Sequence, residues 1–480
     1  MNVFKRFSRV FWVANVLELF ERWAWYGFFM LFANYLTGSS DTGGLEFTQA
    51  QKGLLMGVGT GILYFLPVLT GAIADRYGYK RVLLFAFLVY ASAFLLLPLF
   101  SSFTAVFLMY LYLAVGAALF KPVISATVSK TTDERSASIG FGIYYMMVNI
   151  GAFFGPVVTL LFNEDYRVVF YISAGVILLN LILLLFYKEP GRRERRAPGP
   201  LSTTVGEIFR NMFSIVKDTR FLLFLLIVAG FWTMYNQLFF TLPVFISQWV
   251  DTRALYDFFS HHLPFISHHY SPAPGVIDAE FVTNFDAFYI ILLQVVISTA
   301  IMRLKPLKSM ISGFLVCSIG MALTLFSQDV LFTLVAMLVF AVGEMAGSPK
   351  ITEYIGAIAP AEKKALYMGY SFIPVFLGNV FAGLISGSVY QRMSDKVTIV
   401  RDYARQQGFS VPDGVSQGEY FDEVARQAGL SGQELTNLLW DTYSPSSIWI
   451  VVLTIGLVAS ASLFIYDRYK GSGNNQGSRR

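Results

Sequence analysis

Long apolar stretches dominate this chain, and short polar breaks separate them. Runs of about 20 apolar residues, enough to cross a bilayer as a helix, recur near 10–37, 51–74, 82–101, 103–128, 138–163, 166–187, 221–248, 285–303, 308–327, 329–358, 364–390 and 446–467. The pattern predicts roughly twelve transmembrane helices and an all-α polytopic membrane protein. The segment 188–220, rich in Arg, Pro and Gly, is the main break. It reads as a cytoplasmic linker between six-helix bundles at 1–187 and 221–468, with 469–480 as a cytoplasmic tail. Two further polar segments, 249–284 and 391–445, read as extracytoplasmic insertions. Within the second, Ser431 followed by Glu434 is the signature of a helix-capping box.

Composition strengthens this picture. Hydrophobic residues make up 55% of the chain and charged residues 14%, whereas charged residues are about a quarter of a soluble protein. The net charge of +5 does not indicate nucleic acid, because Lys and Arg crowd alternate loops. Examples are Lys5, Arg6 and Arg9, then Arg76, Lys80 and Arg81, then Arg192, Arg193, Arg195 and Arg196. This positive-inside bias puts both termini in the cytoplasm. The first apolar segment is too long for a cleaved signal and reads as a membrane span. The single cysteine, Cys317, lies within a span, so no intramolecular disulfide is expected. His261, His262, His268 and His269 cluster in one insertion, but their spacing matches no zinc pattern, and no metal is expected.

The candidate chemistry is charge inside the membrane. Glu18, Glu21 and Arg22 all lie in the first span. A charge at the bilayer centre costs about 2.5–3.5 kcal/mol on insertion scales. Spacings of three and four residues put Glu18 on one helix face with both Glu21 and Arg22, so pairing can offset that cost. The functional reading is a substrate or proton pathway; the alternative is a structural ion pair between helices. Lys121 adds a second intramembrane cation and Glu344 a third carboxylate. Burial disfavours the charged form of a carboxylate, so such a group can alternate between a proton and a cationic partner. Lys350 and Glu353 are three apart and can pair near the cytoplasmic end of their span. No nucleophile–base pair, phosphate loop or metal spacing stands out, so no enzyme is indicated.

Longer motifs add a family resemblance. Gly71, Asp75, Arg76, Gly78, Lys80 and Arg81 form a G-x-x-x-D-R-x-G-x-K-R string. It resembles the signature loop of the major facilitator superfamily. Glu18-x-x-Glu21-Arg22 followed by Trp25, Tyr26 and Gly27 is similar to the first-span motif of proton-dependent oligopeptide transporters, a family within it. Phe120-Lys121-Pro122, the stretch from Tyr144 to Gly151 around Asn149, and Glu344 with Ser348-Pro349 also resemble that family. The resemblance implies two six-helix bundles alternating access to a central site. It further implies a monomeric, multi-pass cell (inner) membrane protein that takes up short peptides with protons and needs no cofactor beyond the proton gradient. Arg22 and Lys121 would meet the peptide carboxylate and Glu344 its amino group. Tyr26, Tyr64, Asn149 and Asn236 would line the site. Glu18, Glu21, Arg22 and Glu344 would couple protons, and Asp75 and Arg76 would serve a gate. Lys350 and Glu353 are charges that this family does not usually carry; they read as an interfacial ion pair or gate latch, or as a relocated partner for the missing seventh-span Glu. Two positions depart from the family pattern. Asn236 stands where a seventh-span Glu is usual, and Ser371 where a pocket Trp is usual. They keep a non-peptide substrate, an exporter, or a transport-inactive sensor as alternatives.

Overall fold

A computed structural model of the chain describes residues 7–133, 136–162, 165–190, 206–207, 210, 218–324, 326–360 and 364–477. Most of the linker expected at 188–220 lies outside the described residues. Among the described residues the regular structure is helical, with one isolated β-bridge between Asp251 and Asp329. The first half comprises α1 (Arg9–Thr37), α2 (Gln49–Phe65), α3 (Pro67–Tyr77), α4 (Tyr79–Leu96), α5 (Phe103–Lys130), α6 (Ala137–Leu160) and α7 (Tyr166–Leu183). The second begins with α8 (Thr219–Tyr235), α9 (Gln237–Phe240) and α10 (Leu242–Trp249). Then come α11 (Arg253–His262), α12 (Pro264–His269), α13 (Ala279–Thr283), α14 (Phe285–Ile301), α15 (Pro306–Leu323) and α16 (Val330–Ile358). The chain closes with α17 (Lys364–Tyr370), α18 (Phe372–Leu384), α19 (Tyr390–Met393), α20 (Lys396–Gln407), α21 (Gln417–Ala428), α22 (Gly432–Tyr443) and α23 (Ile448–Gly477).

By length and composition, 10 of the described helical segments can cross a membrane, and the α2–α3 pair, bent by 42°, makes 11. The first helix is long enough, at 29 residues, but not apolar enough, because it carries Glu18, Glu21 and Arg22. Several expected spans are interrupted. The one near 51–74 bends at Leu66, where Pro67 starts a new helix and its ring is incompatible with an unbroken turn. The one near 221–248 breaks at Asn236 and again at Thr241. The one near 364–390 breaks at Ser371 and passes through a π-helical turn at Ile385–Val389. The last helix runs on to Gly477, so the expected tail begins as helix.

Both insertions are helical rather than irregular. The 391–445 segment holds three amphipathic helices, α20, α21 and α22. The capping box at Ser431 and Glu434 forms as expected, and a second forms at Ser416 and Glu419. Gly408 and Gly429 end α20 and α21 in the left-handed conformation, with φ of 72° and 70°, which glycine adopts without strain.

The chain divides into two compact units. One holds Met1–Met30 and Gly59–Thr219; the other holds Leu31–Val58 and Arg220–Arg480. Residues 31–58 therefore pack with the second half, although they precede the linker. Small residues make this possible. A Cβ on Gly53 would collide with the carbonyl of Gly383, and one on Gly57 would sit 2.9 Å from the Gly383 Cα, so the helix backbones touch. In the first unit, Gly151 and Gly155 bring α6 against the α1 backbone at Leu19 and Trp23, on either side of Arg22. On α14, Leu292, Val295 and Val296 are exposed, as expected of a lipid-facing surface.

Candidate functional site

The first unit gathers the expected first-span charges into one buried group. Glu18, Glu21 and Arg22 are 1%, 0% and 5% exposed. Arg22 Nε donates to Glu21 Oε2 at 2.6 Å and Nη2 to Oε1 at 2.7 Å. Such a bidentate, charge-assisted pair is the strongest form of this contact. Glu18 is held less closely, with Oε1 3.4 Å from Arg22 Nε. Tyr90, from α4, donates its hydroxyl to Glu21 Oε1 at 3.0 Å; nothing in the motif pointed to it. The Arg22 guanidinium also lies 6.0 Å from the Tyr26 ring centroid.

Lys121 sits differently. Its ammonium lies 4.3 Å from the centroid of the Tyr64 ring, a cation–π contact. Among the described residues it forms no ion pair, although it acts electrostatically on Glu18. The arrangement leaves one cation committed and one available. Asn149 is partly used, since its Nδ2 donates to the Tyr145 carbonyl at 2.9 Å.

The signature loop turns tightly at Gly78, with φ of 100°. Asp75 accepts a 2.9 Å hydrogen bond from the Tyr79 hydroxyl, while Arg76 lies 5.7 Å from the Tyr77 ring. The Tyr79 N–H and Lys80 ammonium reach the end of the sixth span, at Glu189 and the Tyr187 carbonyl. At Gly71 the nearest neighbour for an added Cβ is Pro122 Cβ at 3.8 Å, an ordinary contact rather than a close helix approach.

The second unit holds the other expected residues. Tyr235 donates to Glu344 Oε1 at 2.7 Å, whereas Glu344 Oε2 is buried without a hydrogen-bond partner. Asn236 is 8% exposed at the helix break, and its Nδ2 is likewise unpartnered. Lys350 and Glu353 pair at 2.7 Å on one face of α16, with the Glu353 side chain 52% exposed. That is a surface pair within one helix. Buried ionisable groups in this unit that carried no sequence motif include Lys52, Glu280 and Asp286. The Lys52 ammonium donates to the Phe240 carbonyl at 2.8 Å, and Glu280 Oε1 accepts from Asn34 Nδ2 at 2.7 Å.

The model of the Major Facilitator Superfamily matches residues 12–251, half of the chain. The chain belongs to the major facilitator superfamily. Superfamily membership makes it a multi-pass membrane transporter of small molecules rather than an enzyme. It is 27% identical over 206 residues to the multidrug resistance protein MdtH of Photorhabdus laumondii, covering 42% of this chain and 49% of that protein. It is 28% identical over 243 residues to dipeptide and tripeptide permease A of Cronobacter turicensis, covering 49% and 46%. Each of these two matches thus spans about half of the relative's length. A crystal structure of a POT family transporter in complex with a thioalcohol-conjugated peptide shares the fold, with a TM-score of 0.70 at 15% identity, covering 98% of this superfamily member and 99% of that chain.

Proposed function

We propose that the protein is a proton-coupled importer of di- and tripeptides, placed as a monomer in the cell (inner) membrane with both termini cytoplasmic. The observation that carries this reading is the contrast between two buried cations. Arg22 is neutralised by Glu21 and Glu18, while Lys121 lies over the Tyr64 ring and, among the described residues, forms no ion pair. A peptide carboxylate supplies the partner that Lys121 lacks. The Glu18–Glu21–Arg22 group accepts a proton when a carboxylate competes for Arg22, which ties peptide binding to protonation. Glu344, with one oxygen already held by Tyr235 and the other free, takes the peptide ammonium. Likeness to a dipeptide and tripeptide permease and to POT family structures supports the reading.

Uptake of a labelled dipeptide into proteoliposomes tests it. An inward proton gradient is expected to drive accumulation. A gradient that gives no stimulation across a broad peptide panel sinks the proposal.

A second reading has its own support. Asn236 and Ser371 replace residues usual in peptide transporters, and Ser371 turns its hydroxyl to the Met368 carbonyl at 2.6 Å. A less charged and roomier site suits a non-peptide substrate, and the likeness to MdtH agrees. Thermal stabilisation by apolar cations but by no peptide would favour this reading.

A further inference from the structure

The hairpin of α11 and α12 sits at the mouth of two spans. Just before it, the backbone of Asp251 pairs with Gln328 and Val330 at the start of α16. The segment also closes on itself. The Ile277 N–H donates to Thr252 Oγ1 at 2.9 Å, and the Asp278 N–H to the Tyr270 carbonyl at 3.0 Å. Leu255 and Phe259, four residues apart, give α11 a buried inner face. Phe259 and Tyr270 both meet Phe281, with ring centroids 5.9 and 4.4 Å away. Phe281 belongs to the segment Ala279–Ile301, which is long and apolar enough to cross a membrane. The hairpin therefore packs at the height where that span begins.

Its other edge is apolar and uncovered. Phe258 is 52% exposed, Leu263 49% and Phe265 59%. Large apolar side chains grouped in this way mark a contact surface rather than a loop in water. The edge continues a surface that already faces lipid. Ring contacts of 5.6–6.0 Å run from Phe258 through Phe259, Phe281 and Phe285 to Phe288. Phe288 is exposed on α14, with Leu292, Val295 and Val296 further along the helix. Each exposed Phe also carries an imidazole from four residues on. His262 lies 4.8 Å from Phe258, and His269 4.3 Å from Phe265. Histidine has an apolar body and a polar tip, and amphipathic rings of that kind suit the headgroup layer. We propose that the α11–α12 hairpin is a lipid-interface anchor. Phe258, Leu263 and Phe265 enter the boundary between headgroups and acyl chains, and His262 and His269 lie among the headgroups. The order of apolar ring and imidazole follows the gradient from acyl chain to water. The anchor does not depend on which solute is transported.

Spin labelling of the full-length protein in phosphatidylcholine nanodiscs tests it, in a Cys317→Ser background that keeps the hydroxyl donor for the Phe340 carbonyl. Phe258→Cys, Leu263→Cys and Phe265→Cys each carry one nitroxide, and only variants with wild-type elution on size exclusion are used. Val295→Cys, at a position 76% exposed on α14, is the lipid reference. Arg405→Cys, at a side chain 80% exposed on α20, is the aqueous one. Power saturation is expected to show the hairpin labels relaxed more by oxygen than by a water-soluble nickel chelate, as at Val295 and opposite to Arg405. Hairpin labels that behave like Arg405 would overturn the proposal. Labels shielded from both reagents would also overturn it, because a second copy or another protein would then cover the edge. A phosphatidylcholine with a diazirine near its glycerol tests the unsubstituted protein. Photolysis is expected to place cross-links between residues 258 and 265; cross-links on α14 with none on the hairpin would overturn the anchor.

Discussion

Lys52 Nζ donates a 2.8 Å hydrogen bond to the carbonyl of Phe240, and the side chain that carries it is fully buried. The contact joins α2 to the turn at Thr241, where the seventh span breaks. The Tyr390 ring lies 5.4 Å from the same ammonium. Any motion that parts residues 31–58 from the rest of their unit hydrates Lys52, which favours the parted form. Lys52→Met removes that gain and replaces a buried charge with a side chain of similar length. We expect Lys52→Met to raise the melting temperature and slow substrate turnover. Thermal-shift and uptake measurements check it; a lower melting temperature with unchanged turnover contradicts it.

Glu21 and Glu18 should differ in consequence. Glu21 makes a bidentate pair with Arg22 and accepts from Tyr90, whereas Glu18 makes one 3.4 Å contact with Arg22. Breaking a buried pair by removing one partner costs about 3–5 kcal/mol. Glu21→Gln is expected to approach that figure and to abolish gradient-driven transport. Glu18→Gln should destabilise less. Chemical-denaturation midpoints and proteoliposome uptake give the order, and intact accumulation by Glu21→Gln refutes it.

The helices of the 391–445 segment bring a pH dependence. Burial pushes Glu46 upward, but hydrogen bonds from the Gln417 and Ser40 N–H groups and from the Ser40 and Ser39 hydroxyls more than offset it, and the carboxyl is held below its usual range. Gln417 starts α21, so the contact also satisfies a helix N-terminus with negative charge. Glu46 occupies a left-handed conformation, φ 53°, which is strained for a side chain with a Cβ. A depressed carboxyl stabilises the fold above its unfolded pKa, about 4.3, and loses that contribution as pH falls through the folded value. Glu46→Gln should therefore melt lower than wild type at pH 7, by roughly 1–2 kcal/mol. The two proteins should converge in acid. Melting curves across the pH range decide it.

Two glycines that look alike in sequence should respond differently. Gly71→Ala meets only an ordinary contact with Pro122 and should leave stability and transport unchanged. Gly53→Ala drives a methyl into the Gly383 carbonyl, and overpacking of this kind costs about 1–3 kcal/mol. Comparing melting temperatures and uptake of the two variants tests the contrast; equal stability of both would contradict it.

What the sequence determined by itself is local. Apolar runs placed the helices, because a span is set by its own length and composition. Ser431 and Glu434 gave a cap, since it depends on residues a few positions away. The clustering of Glu18, Glu21 and Arg22 followed from helical spacing alone. Partners distant in the chain were decided only by tertiary structure. Tyr90 on Glu21, Asn34 on Glu280 and Lys52 on Phe240 each need hydrogen-bond distance across packed helices, and a sequence carries residue types but not which helices meet. Asp286 lies at the edge of its apolar run, where a charge ordinarily sits at an interface. Packing of α14 on α16 leaves it buried, 4% exposed. The breaks at Asn236 and Ser371, read as changes of side chain, are also changes of backbone path, because burial among other helices lets a span leave helical geometry where lipid would not.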